Sequence, residues 1–303
     1  MRNSVLVSGA SGLVGSALVP SLQATGMGIA RLMRSASGPS PAAATEIIRW
    51  DPAKPISPEV VSGFDAVIHL AGENIAGRWT AEKKARIRDS RIPATTNLSQ
   101  ALSQAREKPR VFISASAIGY YGNRGDEVLN EESSAGSGFA ADLARDWEAA
   151  TQPAIAAGIR TVNMRLGIVL AANGGALHKM LPAFKMGVGG KIGSGKQWMS
   201  WIDLQDVIRA IHYILKTDPL LGPVNLAAPK PVTNEEFTKS LASVLSRPAI
   251  FPMPAFAARL AFGEMAKELL LASQRVEPAK LLASGYSFRF GDLRTSLKTA
   301  LQG

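Results

Sequence analysis

The chain has 303 residues, of which 46% are hydrophobic and 19% charged, so it is a globular protein with room for one large domain and a smaller one. It has no cysteine, which excludes disulfides and thiolate sites, and its three histidines lack helical metal-ligand spacing, so no metal site is expected. The net charge of +10 fits an anionic ligand or a solvated basic surface. Because the basic residues are dispersed, no nucleic-acid partner is expected.

The start of the chain and its apolar segments predict a location. A strand begins by about residue 3, which leaves no room for the charged and apolar regions of a signal peptide. No apolar run approaches the ~18–20 residues of a membrane span. We therefore expect a cytoplasmic protein that does not associate with membranes.

Apolar segments of strand length alternate with helical segments along most of the chain. Helices are expected over residues 13–24, 80–104 and 139–157. Strands are expected at residues 3–9, 28–34, 45–50, 65–72, 110–116, 160–170 and 222–228. This alternation predicts parallel βαβ units and therefore an α/β fold with a doubly wound parallel, Rossmann-type sheet.

Two segments interrupt this pattern. The sequence "SASGPSPAAA" at residues 35–44 resembles a linker and is expected to form a surface loop after the second strand. After about residue 247 no further βαβ unit is visible, and two helical segments precede a terminal aromatic stretch. The predicted division is a nucleotide-binding domain at 1–247 and a small, mostly helical cap at 248–303.

The stretch "VLVSGASGLVG" carries three glycines between the first strand and the first helix. At this junction glycine permits a tight turn, a close approach of backbone amides to a pyrophosphate, and close packing of the helix on the sheet. The helix N-terminus adds partial positive charge. The alternative is a glycine turn that binds nothing. The predicted cradle consists of Gly9, Ser11, Gly12, Leu13, Val14 and Gly15.

The end of the second strand bears on the choice of dinucleotide. An acidic residue there would bind the ribose 2′-hydroxyl and favour NAD. This chain has "RLMRS" instead, with Arg34 at the expected tip and no carboxylate. A guanidinium pairs well with a 2′-phosphate, which favours NADP(H). The alternative is a solvated loop arginine.

Several motifs together resemble the extended and atypical short-chain dehydrogenase/reductases, and more narrowly their epimerase-like subgroup with a small C-terminal domain. The matching stretches are "SGASGLVG", "HLAGENIAGRW", "SASAIGYYG", "RLGIVL", "GSGKQWMSWIDLQD" at 193–206 and "ASGYSFRFGDL" at 283–293. The resemblance covers essentially the whole chain and implies a Rossmann domain that binds NADP(H), with substrate in the cleft under the C-terminal cap.

The resemblance also implies positions around the cofactor. The "HLAG" residues Leu70, Ala71 and Gly72 would line the adenine–ribose path, and the backbone of Val169 would face the nicotinamide end. Arg86 and Arg91 of "RIRDSR" would lie on the helix that runs along the cofactor, with the better case for Arg91. For both arginines an exposed helix face is the alternative.

The catalytic pair of working short-chain dehydrogenases is absent. That pair is a tyrosine and a lysine four residues later on one helix face, which handle the substrate proton. The residues four positions after the four tyrosines are Arg124, Gly125, Thr217 and Phe290, so no Tyr-x-x-x-Lys exists. Counting back from Glu148 in the expected helix puts Ala140 and Ala144 at the positions of the pair.

Some candidate catalytic groups remain. Ser116 at the end of the fifth strand is the predicted substrate-facing serine, ahead of Ser114, and Tyr121 is the nearest possible proton donor. A packed loop aromatic is the alternative for Tyr121. Asp142 is a candidate replacement acid or, alternatively, a solvated helix carboxylate.

Two further features have open interpretations. In "GSGKQWMSWIDLQD", Lys196 and Trp198 either reach toward an anionic or ring-bearing ligand or belong to a structural hairpin. His69 ends the fourth strand and is interpreted as a packing residue near the cofactor.

Two function classes follow from these residues. The leading hypothesis is an NADP(H)-binding oxidoreductase or nucleoside-sugar epimerase whose small-molecule substrate the sequence does not identify, with a degenerate catalytic site. The alternative, motivated by the missing pair, is a non-catalytic NADP(H)-bound sensor or scaffold.

Overall fold

The computed structural model describes residues 3–34 and 45–302, so the surface loop expected at residues 35–44 lies outside the described part. The described strands are β1 (Ser4–Ser8), β2 (Gly28–Met33), β3 (Thr45–Arg49), β4 (Ala66–His69), β5 (Val111–Ala117), β6 (Val128–Leu129), β7 (Arg160–Leu166), β8 (Ile168–Ala171), β9 (Trp198–Met199), β10 (Trp201–Asp203), β11 (Gly222–Leu226), β12 (Val232–Thr233) and β13 (Arg275–Val276). The described helices are α1 (Leu13–Gln23), α2 (Pro58–Val61), α3 (Ala81–Asp89), α4 (Ile92–Gln104), α5 (Phe139–Ala149), α6 (Gln152–Ala156), α7 (Gly175–Lys185), α8 (Leu204–Lys216), α9 (Asn234–Leu245), α10 (Ala255–Phe262), α11 (Ala279–Ala283) and α12 (Leu293–Gln302).

Seven strands form one parallel sheet in the order β11-β7-β5-β4-β1-β2-β3. One face packs against α1 and α8, and the other against α2 and α4, because the strands are apolar on both sides. The predicted α/β, doubly wound class is therefore confirmed. The chain moves from β1 toward β3 and then returns to place β4 beside β1. This reversal opens a crevice at the carboxyl ends of β1 and β4, where sheets of this class bind ligands.

Three predicted elements are divided in the structure. The expected helix over 80–104 is two helices because Pro93 in the first turn of α4 cannot continue α3. Pro153 likewise begins α6 within the expected helix over 139–157. The prediction of a single strand over 160–170 is wrong, because the segment forms the two strands β7 and β8. At Gly167 the chain leaves the main sheet, and β8 pairs with β10 instead.

The segment after residue 247 is mostly helical, as predicted, and shares its apolar contacts with the rest of the chain. Helix α12 packs with α7 and α9, whereas Met265 packs with Trp79 and Ile87 near α3. The Glu268 carboxylate accepts hydrogen bonds from the amides of Phe139 and Ala140 at 3.1 and 2.8 Å and so caps α5. These contacts seat the segment over α3 and α5; the boundary at residue 247 stays a prediction.

Candidate functional site

The glycine loop between β1 and α1 has no space for side chains at two positions. Gly9 has φ +71°, and a Cβ atom there would lie 2.5 Å from the Leu70 carbonyl carbon. A Cβ atom at Gly15 would overlap the Gly9 carbonyl oxygen. Gly12 is the extended residue that precedes α1, and no described side chain caps that helix. The first-turn amides of α1 are therefore free to bind an anion, as a diphosphate cradle requires.

Leu13 and Val169 both contact the turn at Gly174 and Gly175, where α7 begins. Built Cβ atoms at Gly174 and Gly175 would stand 2.8 and 3.0 Å from the Leu13 side chain, and the one at Gly175 is 3.4 Å from the Val169 carbonyl oxygen. The structure thus brings the start of α1 together with the strand that follows β7. Both elements border the crevice.

The turn after β4 is held from two sides. The Leu70 amide donates to the Ser8 carbonyl oxygen at 3.1 Å, which ties this turn to the end of β1. On the other side Arg91 donates to the Glu73 carbonyl oxygen at 3.0 Å, and its guanidinium lies 3.0 Å from where a Cβ atom of Gly72 would be. Arg91 therefore holds the "HLAG" turn in place, and its side chain does not lie on an exposed helix face. Burial lowers the pKa of Arg91 to about 10, so it is a cation at neutral pH.

Four charged side chains converge at the far end of the crevice. Glu73 forms an ion pair with Lys83 of α3, with Nζ and Oε1 2.8 Å apart. Arg34 directly after β2 and Arg86 on α3 are both exposed. The hydrogen bond from Lys83, followed by the charges of Lys83, Arg86 and Arg34, holds the pKa of Glu73 below its usual value. This end of the crevice is positively charged around one carboxylate.

Ser116 belongs to a buried polar network at the opposite end. Its hydroxyl donates to Oε1 of Glu148 at 2.7 Å. The Glu148 carboxylate also accepts two hydrogen bonds from Arg165, each 2.8 Å long. Although burial alone would lower the pKa of Arg165, hydrogen bonds and the charge of Glu148 raise it above its usual value. Arg165 is therefore a cation, and it lies against the Glu148 carboxylate.

Tyr121 lies in the interior rather than at the cleft surface. Its ring is fully buried, its hydroxyl donates to Asn225 at 2.7 Å, and Arg165 donates to it at 3.0 Å. Burial raises the pKa of Tyr121 to about 12. A hydroxyl with both roles satisfied, in a side chain without solvent contact, is not free to exchange a proton with a ligand. This placement favours the packed-aromatic alternative.

The α5 face beside β5 carries alanine where a catalytic pair would need large polar side chains. Ala140 and Ala144 are both buried, and a Cβ atom at Gly119 would lie 3.4 Å from that of Ala140. Asp142, by contrast, points away and forms an exposed ion pair with Arg145 at 2.9 Å. Asp142 is thus a solvated helix carboxylate in this structure.

His69 and Trp198 both have partners within the protein. His69 is fully buried, with Nδ1 2.5 Å from the Ser8 hydroxyl oxygen, and burial lowers its pKa to about 4. It is therefore a neutral packing residue. Trp198 donates to Asp126 at 2.8 Å and lies under the Arg275 guanidinium, whereas Lys196 is exposed.

Sequence reasoning missed the ion pairs at both ends of the crevice. In the sequence, Glu148 is one of several charged residues in the expected helix over 139–157, and Arg165 lies within the expected strand over 160–170. A charged residue within a buried strand needs a partner, and that rule was the available signal for Arg165. Glu73 and Lys83 had no comparable signal, because their pairing depends on how the turn after β4 meets α3.

Comparison with known proteins identifies the family. The sequence model of the NAD dependent epimerase/dehydratase family matches residues 5–227. This chain belongs to that family. A domain of unknown function, DUF1731, matches residues 253–300 of this epimerase-family chain. The resemblance inferred from the motifs is therefore confirmed.

Individual relatives of this epimerase-family chain cover its whole length. Epimerase family protein Mb2239 of Mycobacterium bovis is 43% identical over 300 residues, which is 98% of this chain and 97% of that protein. A crystal structure of human epimerase family protein SDR39U1 with NADPH is 32% identical, with a TM-score of 0.88 and 99% of each chain covered. A crystal structure of the nucleoside-diphosphate sugar epimerase from Corynebacterium glutamicum is 35% identical, with a TM-score of 0.78, and the match covers 98% of this chain and 58% of that one.

Across residues 3–34 and 45–302, every helix is too short or too polar to cross a bilayer. The same residues hold no group of three or more histidine and carboxylate side chains arranged to bind a metal ion.

Proposed function

We propose that this chain binds NADP(H) and acts as an epimerase-like oxidoreductase on a small carbinol or carbonyl substrate. The observation that carries this proposal is the glycine cradle, in which side chains at Gly9 and Gly15 have no space and the amides at the start of α1 are uncapped. The relation to a human protein crystallised with NADPH supports the choice of dinucleotide.

The residues around the crevice fit such a cofactor. The amides of the glycine loop would hold the diphosphate, and the turn at residues 70–72 would border the adenine and ribose. Arg34 would meet the 2′-phosphate, with Arg86 nearby on α3. Arg91 would act by fixing the turn, because two of its N–H donors bind the backbone oxygens of Ile87 and Glu73. The backbone of Val169, beside Leu13, would face the nicotinamide end.

The chemistry would take place near Ser116. When bound, the nicotinamide ring supplies or accepts hydride. The single hydroxyl proton of Ser116 is committed to the Glu148 carboxylate, so the lone pairs of its oxygen are what it offers to a ligand. We therefore assign Ser116 to binding and orienting a substrate hydroxyl. Tyr121 takes a positioning role, because it holds Arg165 and through it Glu148.

A non-catalytic NADP(H)-bound sensor or scaffold is the second candidate. The observation in its favour is the pair of buried alanines, Ala140 and Ala144, on the α5 face where the Tyr/Lys pair is expected. A protein of this kind would bind the cofactor tightly without turnover. A cytoplasmic location stays part of the proposal for either candidate.

The test combines binding and turnover. Calorimetric titration of the purified chain with NADPH and NADP⁺ should give heat and raise the unfolding temperature. A panel of nucleotide sugars, alcohols and carbonyl compounds should then include one that changes NADPH absorbance or is epimerised. Ser116→Ala should remove that turnover and leave NADPH affinity within about twofold. The matched control is Ser114→Ala, because that hydroxyl is buried and makes only a weak 3.4 Å contact with a carbonyl.

The outcomes separate the candidates. Absence of heat and of thermal protection with either nucleotide would overturn the cofactor assignment and both candidates. Tight NADPH binding without turnover across the whole panel favours the sensor. Turnover that survives Ser116→Ala would leave an enzyme but remove the role of this serine.

A further inference from the structure

A cluster of three cations surrounds one carboxylate at the adenosine end of the crevice. Its carboxylate, Glu73, is fixed at its root, since the Glu73 amide donates to the Ser90 hydroxyl at 2.9 Å and its carbonyl accepts from Arg91. The Lys83 ammonium is 2.8 Å from this carboxylate, and the Lys83 side chain is only 15% exposed. Lys83 is therefore held in place, unlike an ordinary surface lysine.

The sheet brings the other two cations to the same end. Arg34 follows β2 and Glu73 follows β4, and these strands flank β1 on its two sides, so Arg34 and Glu73 border the glycine loop from opposite sides. Arg86 stands three residues after Lys83, one turn along α3. Within residues 3–34 and 45–302, neither Arg34 nor Arg86 has an ion-paired carboxylate. Their charges nevertheless reach Glu73, whose pKa they lower after the larger effect of Lys83.

The charge of this cluster matches one feature of a phosphorylated dinucleotide. The three cations outnumber Glu73 and the exposed Glu82, which interacts with Arg86, so the cluster carries an excess of positive charge. A phosphate monoester carries about −1.5 to −2 charges at neutral pH, so a 2′-phosphate would balance that excess. An unphosphorylated ribose would leave the excess unpaired. Glu73 alone, without the cations, would instead favour an unphosphorylated ribose by accepting from its hydroxyls.

We propose that Lys83 is a third 2′-phosphate ligand beside Arg34 and Arg86, and that Glu73 holds it in position and sets the net charge of the site. This inference rests on the proposed NADP(H) binding and adds Lys83 and Glu73 as residues that select the phosphorylated cofactor. Lys83 has to exchange part of its contact with Glu73 for the phosphate.

The neighbouring lysine provides a matched control. Lys84 also forms an ion pair, with its Nζ atom 2.8 Å from Oε2 of Glu264. Its side chain therefore points toward the C-terminal segment and not toward Glu73. Replacement of either lysine by methionine removes one positive charge and one ion pair from the same turn of α3. Only Lys83 lies in the cluster with Arg34 and Arg86.

The test uses calorimetric titration of the full chain with NADPH and NADH, and with two fragments that differ only in the 2′-phosphate, adenosine 2′,5′-bisphosphate and 5′-AMP. Lys83→Met should weaken NADPH and the bisphosphate about tenfold or more, the worth of a charged hydrogen bond, and leave NADH and 5′-AMP within about twofold. Lys84→Met should leave all four within about twofold. Lys83→Arg should keep the discrimination, and it also guards against a methionine variant that does not fold. Glu73→Gln should strengthen NADPH binding, because it removes a negative charge near the phosphate while the amide oxygen can still accept a hydrogen bond from Lys83.

Each outcome supports or overturns the inference. Equal losses for phosphorylated and unphosphorylated ligands in Lys83→Met, or no loss at all, would overturn it and leave NADP(H) binding intact. A selective loss of NADH affinity in Glu73→Gln would show that this carboxylate binds ribose hydroxyls, which also overturns it. If the unmodified chain binds neither NADPH nor the bisphosphate, the proposed function and the inference both fail. Binding of the bisphosphate without NADPH would retain the phosphate cluster alone.

Discussion

The Ser116 hydroxyl donates a 2.7 Å hydrogen bond to Glu148, across 32 residues of sequence. Ser116 is the register partner of Arg165 on the adjacent strand β7, and Arg165 grips the same carboxylate with two donors. One carboxylate on α5 thus ties two neighbouring strands together at the carboxyl end of the sheet. The orientation of the serine at the proposed reaction centre therefore depends on a buried ion pair.

Loss of the Glu148 charge should strongly destabilise the fold. Glu148→Gln leaves the Arg165 guanidinium, whose side chain is 3% exposed, without its counter-ion. Removal of one partner of a buried ion pair costs about 3–5 kcal/mol, so the free energy of unfolding in urea should fall by about that amount. The exposed pair of Arg124 with Glu127 is the control, and Glu127→Gln should cost about 1 kcal/mol or less. Similar small losses for both variants would contradict the structural role of Glu148.

Tyr121→Phe should lower stability more than turnover. The change deletes the hydrogen bonds with Asn225 and Arg165 and leaves both partners buried, at a cost of about 1–3 kcal/mol in urea unfolding. Turnover at a temperature where the variant is folded should stay within several-fold, as expected of a positioning residue. Tyr120→Phe is the control. The Arg165 Cζ atom lies 3.5 Å from the centroid of the Tyr120 ring, but the hydroxyl of Tyr120 forms no hydrogen bond with Arg165 in the described structure. Abolished turnover with unchanged stability would restore Tyr121 as a proton donor.

Removal of the Arg34 guanidinium should change cofactor preference. Arg34→Ala should weaken NADP(H) binding by about 1.5–3 kcal/mol, the worth of a charged hydrogen bond, and hardly affect NAD(H). Calorimetry with both nucleotides measures this difference. Arg106→Ala controls for total charge. Arg106 is exposed and lies just before β5, at the amino ends of the strands, whereas Arg34 follows the carboxyl end of β2. Equal loss for the two nucleotides would show that Arg34 does not contact the 2′-phosphate.

The buried His69 should make stability dependent on pH below neutrality. Burial lowers its pKa from 6.5 to about 4, so the unfolded chain binds a proton at this position before the folded chain does. The resulting stability is fully present above pH 6.5 and is lost as the pH falls toward 4. At about 1.4 kcal/mol per pH unit, the loss amounts to about 3 kcal/mol. The stability difference between the natural chain and His69→Gln, from urea unfolding at several pH values, should shrink by that amount. A difference that stays constant with pH would show that His69 titrates normally.

Much of the fold could be predicted from local patterns. The seven apolar segments, the glycines at 9, 12 and 15, and the family motifs were enough for the doubly wound sheet and the family, both of which are confirmed. The alternation of apolar strands and the turns that require glycine involve only a few neighbouring residues, so both can be recognised in the sequence. Pro93 and Pro153 also mark the two helix breaks in the sequence, although the apolar periodicity continues through both breaks and favours single long helices.

The pairing of charges, in contrast, depended on packing. Whether Tyr121 faces a cleft or the interior, and whether Glu148 meets Ser116, follow from how α5 lies on β5 and β7. The same is true of Lys83 and Glu73, which meet only because the turn after β4 bends toward α3. Hydrogen bonds and ion pairs require atoms to approach within about 3 Å. Sequence periodicity specifies which face of an element is buried, but it does not locate a side chain with that accuracy.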